Sequence, residues 1–180
     1  MNRIIRTNID LKSDIAFLWI GTNDIFVKTK WTLPITKAFY FQPWASSFKD
    51  FKSSYEIILK FLENNTKKIF TISPLFIGEN FNNRWYHELE KLSKIIEKLT
   101  KSNNKSEFID LRKLFYKKLN SKIISNYIVS SNTSLFLDFM KINNLEKLNN
   151  IANERGLHFT VDGVHLNSTG AKIVAQELKS

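Results

Sequence analysis

Cysteine is absent from the 180 residues. Its absence excludes a disulfide framework, a thiolate metal site and a cysteine nucleophile. Histidine is scarce: only His87, His158 and His165 occur. They stand without clustered acids, so neither a structural zinc site nor any other metal is expected. No apolar run approaches the length that spans a membrane. The opening MNRIIRTNIDLKSD has no apolar core and no small-residue cleavage site, so it is not a signal peptide. The chain as given is therefore expected in the cytoplasm, although its N-terminus looks abnormal for reasons given below. Neither a repeat nor a low-complexity linker divides it, and one domain over 1–180 is expected.

What is present is enough to fold. Apolar residues make up 43% of the chain, with 15 Phe among them, so a real core can form. The net charge is +10, from 27 Lys and Arg against 17 Asp and Glu. A basic balance of this kind can mark a nucleic-acid partner. Here the lysines are mixed with Glu along helix-like segments and no Arg-rich stripe occurs. That reads as a solvated lysine surface, with no nucleic-acid partner expected.

Periodicity supplies the order of elements. Ile15 to Ile20, IAFLWI, is an unalternated apolar run ending at Gly21, which fits a strand buried on both faces. Residues 25 to 45 hold Pro34, Pro43 and many aromatics, and read as a long loop with room for short helical turns. Phe48, Phe51, Tyr55, Ile58, Leu59 and Leu62 then make one helical stripe, stopped by Asn64 and Asn65. A second strand, KKIFTISPLF (Lys67 to Phe76), is broken at Pro74. Trp85, Leu89, Leu92, Ile95, Ile96 and Leu99 make a second helical stripe. EFIDL, Glu107 to Leu111, is a third strand. Residues 112 to 150 read as mostly helical with Asn interruptions, and a last helix carries Ala171, Val174, Ala175 and Leu178. Alternation of strand and helix implies right-handed crossovers over a parallel sheet. Active residues of such sheets gather at the carboxyl ends of the strands. GTND, SPLF and the loop before the last helix would all face that rim.

Two short stretches can carry chemistry. GTND, Gly21 to Asp24, follows a strand directly. Gly permits a tight turn and a close approach to the backbone. An Asn there can aim an N–H at a developing oxyanion. The same residues also make ordinary turns. DGVH, Asp162 to His165, places an acid three residues before a histidine. Histidine can act as general base and then general acid, and an acid on the other ring nitrogen fixes its tautomer. Asn167 or Ser168 would also cap the last helix from this loop.

Taken together, WIGTND and VDGVHLNSTGAKIVAQEL make the chain resemble the SGNH (GDSL-type) hydrolase superfamily. The resemblance covers the chain from Lys12 onward. It implies a flavodoxin-like three-layer α/β/α fold with a parallel sheet, and hydrolysis of ester bonds by a Ser-His-Asp mechanism. The family's G-x-N-D motif falls on Gly21, Asn23 and Asp24, with Asn23 as oxyanion donor and Gly21 beside it. Its D-x-x-H-L-N motif falls on Asp162, His165, Leu166 and Asn167. His165 would be the base and Asp162 its orienting acid. No cofactor is implied. The substrate would be a small-molecule ester or an acylated carbohydrate or lipid.

One part of the family pattern is missing. The nucleophilic serine of the family lies in a G-D-S motif upstream of G-x-N-D, and this sequence has no G-D-S. Only 20 residues precede Gly21, whereas one βαβ unit takes about 30 or more. The expectation is a family sheet lacking its first strands, and so reduced at one edge. In the flavodoxin-like order 2-1-3-4-5, IAFLWI would become that edge, open to pairing with another chain. A homo-oligomer or an N-terminal fragment partner is expected there, and the isolated chain is expected to have little esterase activity. Ser73 is the nearest substitute nucleophile by position, but it reads better as a strand-end residue. Ser13, Ser46 and Ser47 have less support. The aromatics Trp31, Phe39, Tyr40, Phe41 and Trp44 either line a substrate cleft or anchor their own loop. The alternative function is a non-catalytic interaction protein or the C-terminal half of a split enzyme.

Overall fold

The computed structural model describes residues 12–27, 45–129 and 144–179. Contacts divide the chain into two compact units, Met1–Pro74 with His87–Asp110, and Leu75–Tyr86 with Leu111–Ser180. The described elements run β1 (Ser13–Trp19), α1 (Thr22–Val27), α2 (Phe48–Asn65), β2 (Thr66–Ile72), α3 (Arg84–Lys101), β3 (Ser106–Ile109), α4 (Leu111–Leu119), α5 (Leu145–Glu154) and α6 (Ser168–Glu177).

The first unit holds a parallel three-stranded sheet in the order β1-β2-β3. Its register places Ala16 opposite Ile69 and Leu18 opposite Thr71 on one face. Thr71 continues to Phe108 on β3. Leu18, Ile69 and Thr71 are buried. The helical stripes foreseen from spacing supply cover: Phe51, Tyr55, Ile58 and Leu59 of α2, and Leu89, Leu92, Ile96 and Leu99 of α3, are all buried. A hydroxyl pair ties sheet to helix, with Thr71 Oγ1 2.6 Å from Thr100 Oγ1, and Thr100 also donates to Ile96 O. Ser47 caps α2 by accepting from Asp50 N.

The other face of the sheet reads differently at β1. Ile15 and Phe17 are 53% and 50% exposed, and of the strand only Leu18 is buried. By composition the run IAFLWI was expected to be buried on both faces, and as the edge left by missing first strands it was expected to be partly uncovered. Among the described residues β1 pairs with β2 alone, so its outer side and its Ile15–Phe17 face stay open. Phe17 still stacks on Phe70, with ring centroids 5.2 Å apart. The apolar composition of β1 thus suits a more central strand than the position it takes here.

Two further differences have local causes. β2 ends at Ile72 rather than Phe76, because Pro74 offers no N–H to a ladder; Leu75, Phe76 and Ile77 continue as buried irregular chain. Within the stretch 25 to 45 expected as a loop, residues 25–27 belong to α1, which extends through Val27, and residues 28–44 lie outside the described residues. The aromatics from Trp31 to Trp44 lie outside the described residues.

The second unit is built around aromatic rings. Phe76 packs on Phe115 with centroids 5.3 Å apart, and Phe115 on Phe159 at 5.4 Å. Phe81 meets Tyr86 and Tyr116 edge-on. Asn83 opens α3, accepting from the N–H groups of Trp85 and Tyr86. On the helices of the first unit, lysines lie beside glutamates, as in the pairs Lys52–Glu56, Lys94–Glu90 and Lys101–Glu97.

Candidate active site

In the second unit, residues 158 to 167 form a closed loop with the acid and histidine at its tip. Thr160 and Leu166 make an antiparallel bridge. Val161 N donates to His165 O at 2.8 Å, and Asn167 N to Phe159 O at 3.0 Å. The chain reverses at Gly163, whose φ of 87° falls where a side chain is strained. A Cβ there would lie 2.7 Å from Tyr127 O.

That reversal brings Asp162 and His165 together. Asp162 Oδ2 lies 2.7 Å from His165 Nδ1. Its Oδ1 accepts from Val164 N at 2.9 Å and His165 N at 2.7 Å. The acid side chain is 3% exposed and the histidine 64%. Burial pushes the Asp162 carboxyl up. The hydrogen bond and charge of His165, with the two backbone N–H groups, outweigh it and hold the carboxyl below its ordinary value. A carboxylate can only accept, so Nδ1 carries the proton and Nε2 is the basic nitrogen of the ring. This is the geometry of a histidine made ready for proton transfer by a buried acid.

Asn167 works on both sides of the loop. Its side chain accepts from Gly170 N and caps α6, as the sequence suggests. It also donates to His158 O at 3.1 Å. Ser168 Oγ donates to Asn149 Oδ1 on α5. Gly170 is close-packed, since a Cβ on it would fall 2.2 Å from Phe159 O.

Gly21 and Asn23 belong to the first unit, at the carboxyl end of β1. Gly21 has φ 115°, and a Cβ would meet Leu92 Cδ2 at 2.8 Å. GTND is not a plain turn: it opens α1, with Asp24 N and Ile25 N both donating to Gly21 O. Asp24 Oδ1 accepts from Ala45 N at 2.8 Å, so the acid of the motif holds a later segment. Asn23 is exposed.

The substitute nucleophiles fare poorly. Ser73 is 0% exposed, and its N–H donates to Ile109 O. Ser46 and Ser47 both bond to Asp50 at the start of α2. Ser13 is the first residue of β1. His87 is exposed on α3, and His158 Nε2 lies 2.8 Å from Ile123 O. Among the described residues no group of three or more His, Asp or Glu could hold a metal ion. Nor is any helix there long and apolar enough to cross a membrane.

Sequence reasoning missed Glu79. It is fully buried and bonds to the segment that leads into Asp162. A lone acid inside the apolar stretch PLFIGEN was the available signal, since a buried carboxylate must find partners.

A parallel-sheet α/β unit and a buried acid under an exposed histidine define the class. The family model for GDSL-like Lipase/Acylhydrolase matches residues 1–178, and the chain belongs to that family. No curated protein sequence matches it. Among solved structures it is similar to a mutant of Axe2, an acetylxylan esterase from Geobacillus stearothermophilus (15% identity, TM-score 0.64, 98% of this chain and 62% of the other). The acetyl xylan esterase AlAXEase is similar at 22% identity and TM-score 0.59, over 98% of this chain and 70% of the other. LAE5, an alpha/beta hydrolase from the metagenome of Lake Arreo, Spain, is similar at 13% identity and TM-score 0.64, over 98% and 62%. At these identities the likeness is one of fold, and it bears out the expected α/β architecture with its parallel sheet. The chain spans about three-fifths of the length of the first of these structures, 62%.

Proposed function

We propose that the chain supplies the acid–base pair and one oxyanion donor for serine-dependent hydrolysis of an ester. The observation that carries this reading is the 2.7 Å contact between the buried Asp162 carboxylate and Nδ1 of the exposed His165. Membership of the GDSL-like family supports it and does not favour the non-catalytic alternative.

In this mechanism a serine hydroxyl attacks the ester carbonyl and His165 Nε2 takes its proton. The imidazolium so formed is stabilised by Asp162, which stays ionised. The oxyanion accepts a hydrogen bond from the Asn23 side-chain N–H. Collapse expels the alcohol, which leaves with the proton from His165. Water, deprotonated by the same nitrogen, then releases the acid and restores the serine. The acetylxylan esterases among the similar structures make an acetylated carbohydrate the first substrate to try.

The serine is the unsupplied part. With no Gly-Asp-Ser in the sequence, this reading takes the nucleophile from outside these 180 residues. In this reading the side of β1 that is unpaired among the described residues receives the strand that bears it, or a second copy. p-Nitrophenyl acetate tests the reading: the chain alone should hydrolyse it near the buffer rate. Addition of a polypeptide with the first strand and Gly-Asp-Ser of a family member should restore turnover. Rapid turnover by the chain alone would refute the external serine.

A further inference from the structure

We infer that Glu79 is a positioning residue, whose buried carboxylate clamps residues 158–160 and so fixes the Asp162–His165 pair. This inference rests on the acid–base reading of that pair. Glu79 Oε2 accepts from His158 N at 2.7 Å. Oε1 accepts from Phe159 N at 2.7 Å, Thr160 N at 2.8 Å and Thr160 Oγ1 at 2.8 Å. Three successive backbone N–H groups and a hydroxyl thus converge on one side chain that is 0% exposed. Bonds to a carboxylate are roughly twice as strong as neutral ones. Three consecutive N–H groups turned to one anion form a concave cradle of the kind backbone makes for anions.

The clamp lies on the segment that delivers the acid. Thr160 is two residues before Asp162 and bridges Leu166, just past His165. The neighbouring Gly78 N donates to Gly163 O at 2.7 Å, inside the Asp162–His165 turn. Gly78 and Glu79 therefore grip the loop at two places, its leading strand and its tip. Val129 N adds a third hold on Asp162 O at 2.8 Å, and Arg155 Nη1 donates to Val161 O at 2.9 Å. Of these, Glu79 alone is a buried acid, and its four contacts all require an acceptor. A glutamine cannot replace it. One arm of the amide is a donor, so an N–H would be forced against His158 N–H or against the three donors on Oε1.

Glu79 touches neither Asp162 nor His165 by these bonds, so it acts through the chain. The test reads the histidine ring itself, on the 180-residue protein. Nitrogen-15 shifts of the His165 ring, detected through its carbon-bound protons, report which nitrogen is protonated. Amide exchange at 158–160 reports the clamp. In Glu79→Gln, exchange at those amides should rise about tenfold or more, and the ring should drift from the Nδ1–H form toward the mixture of an unrestrained imidazole. Thr160→Val removes only the hydroxyl donor and should move both readouts in the same direction by less. It carries the test if Glu79→Gln does not fold. In an enzyme restored with its serine, Glu79→Gln should lower kcat while KM stays within about twofold. A folded Glu79→Gln, or Thr160→Val in its place, with faster exchange but an unaltered Nδ1–H ring would overturn the inference and leave Glu79 a purely structural residue. Ester hydrolysis by the restored enzyme that ignores His165→Ala, with the wild-type ring still responding to Glu79, would sink the acid–base reading instead.

Discussion

Between His158 and Asn167, the backbone and side chains are tied from several directions: Glu79 from one side, Gly78, Val129 and Arg155 around the tip, and Asn167 across the base. Around Gly21 to Asp24 the ties are fewer. The first turn of α1 closes on Gly21 O, and Asp24 reaches Ala45 N. Asn23 is exposed, and the preceding strand is open on one side among the described residues. The contrast follows from what each half would do. A proton-transfer pair needs its acid desolvated and its ring oriented before substrate arrives. Its supports here all lie within one unit. The oxyanion donor proposed at Asn23 follows a strand that, among the described residues, is paired on one side only.

Glycine substitutions should give the largest effects and the sharpest contrast. Gly170→Ala and Gly163→Ala drive a Cβ against backbone oxygens, at 2.2 Å and 2.7 Å, that cannot yield without opening the loop. Each should cost about 3 kcal/mol or more in urea melts. Gly21→Ala meets the end of the Leu92 side chain at 2.8 Å, which can swing aside. Strain at positive φ then leaves a cost of about 1–2 kcal/mol. Equal losses at all three positions would break the comparison.

Asp162→Asn comes next, at about 1.5–3 kcal/mol near neutral pH, because the charged acceptor is lost from three bonds. The direction with pH follows from the carboxyl being held below its ordinary value. Its contribution is present above the unfolded value of about 3.9 and is lost as pH falls through the lower folded value. Thermal melts of wild type and Asp162→Asn should therefore differ at neutral pH and converge below about pH 4. A gap that stays open in acid would assign the loss to packing rather than charge.

The smallest stability change is expected on β1. Phe17→Lys, at a half-exposed position stacked on Phe70, should cost about 1 kcal/mol. It should nonetheless shift concentration-dependent elution in size-exclusion chromatography toward the monomer. Wild-type protein that elutes as one monomer with a cooperative melt at every concentration would contradict the open-edge account.

The helices and the strands along the chain were legible because their signals are local. The stripes through Phe51, Tyr55 and Leu59, and through Leu89, Leu92 and Ile96, are periodic and lie on buried faces. The Asp162–His165 contact was legible for the same reason: three residues across a glycine turn bring the side chains together. Glu79 was not, because its partners lie about eighty positions away, |i−j| 79 to 81, and no pattern along the chain links them. The exposure of Ile15 and Phe17 escaped a reading of IAFLWI by composition alone, since an apolar run reports what a strand could bury and not what covers it. The missing Gly-Asp-Ser is what pointed to an edge there.

The most direct test of the account is p-nitrophenyl acetate hydrolysis by the chain supplemented with the Gly-Asp-Ser-bearing segment, compared between wild type and His165→Ala. A general base at His165 predicts that kcat/KM falls by about 10²–10⁴ in the variant, with its melting temperature little changed. Turnover that is restored by the segment and survives His165→Ala undiminished would contradict the assignment of Asp162 and His165 as the acid–base pair.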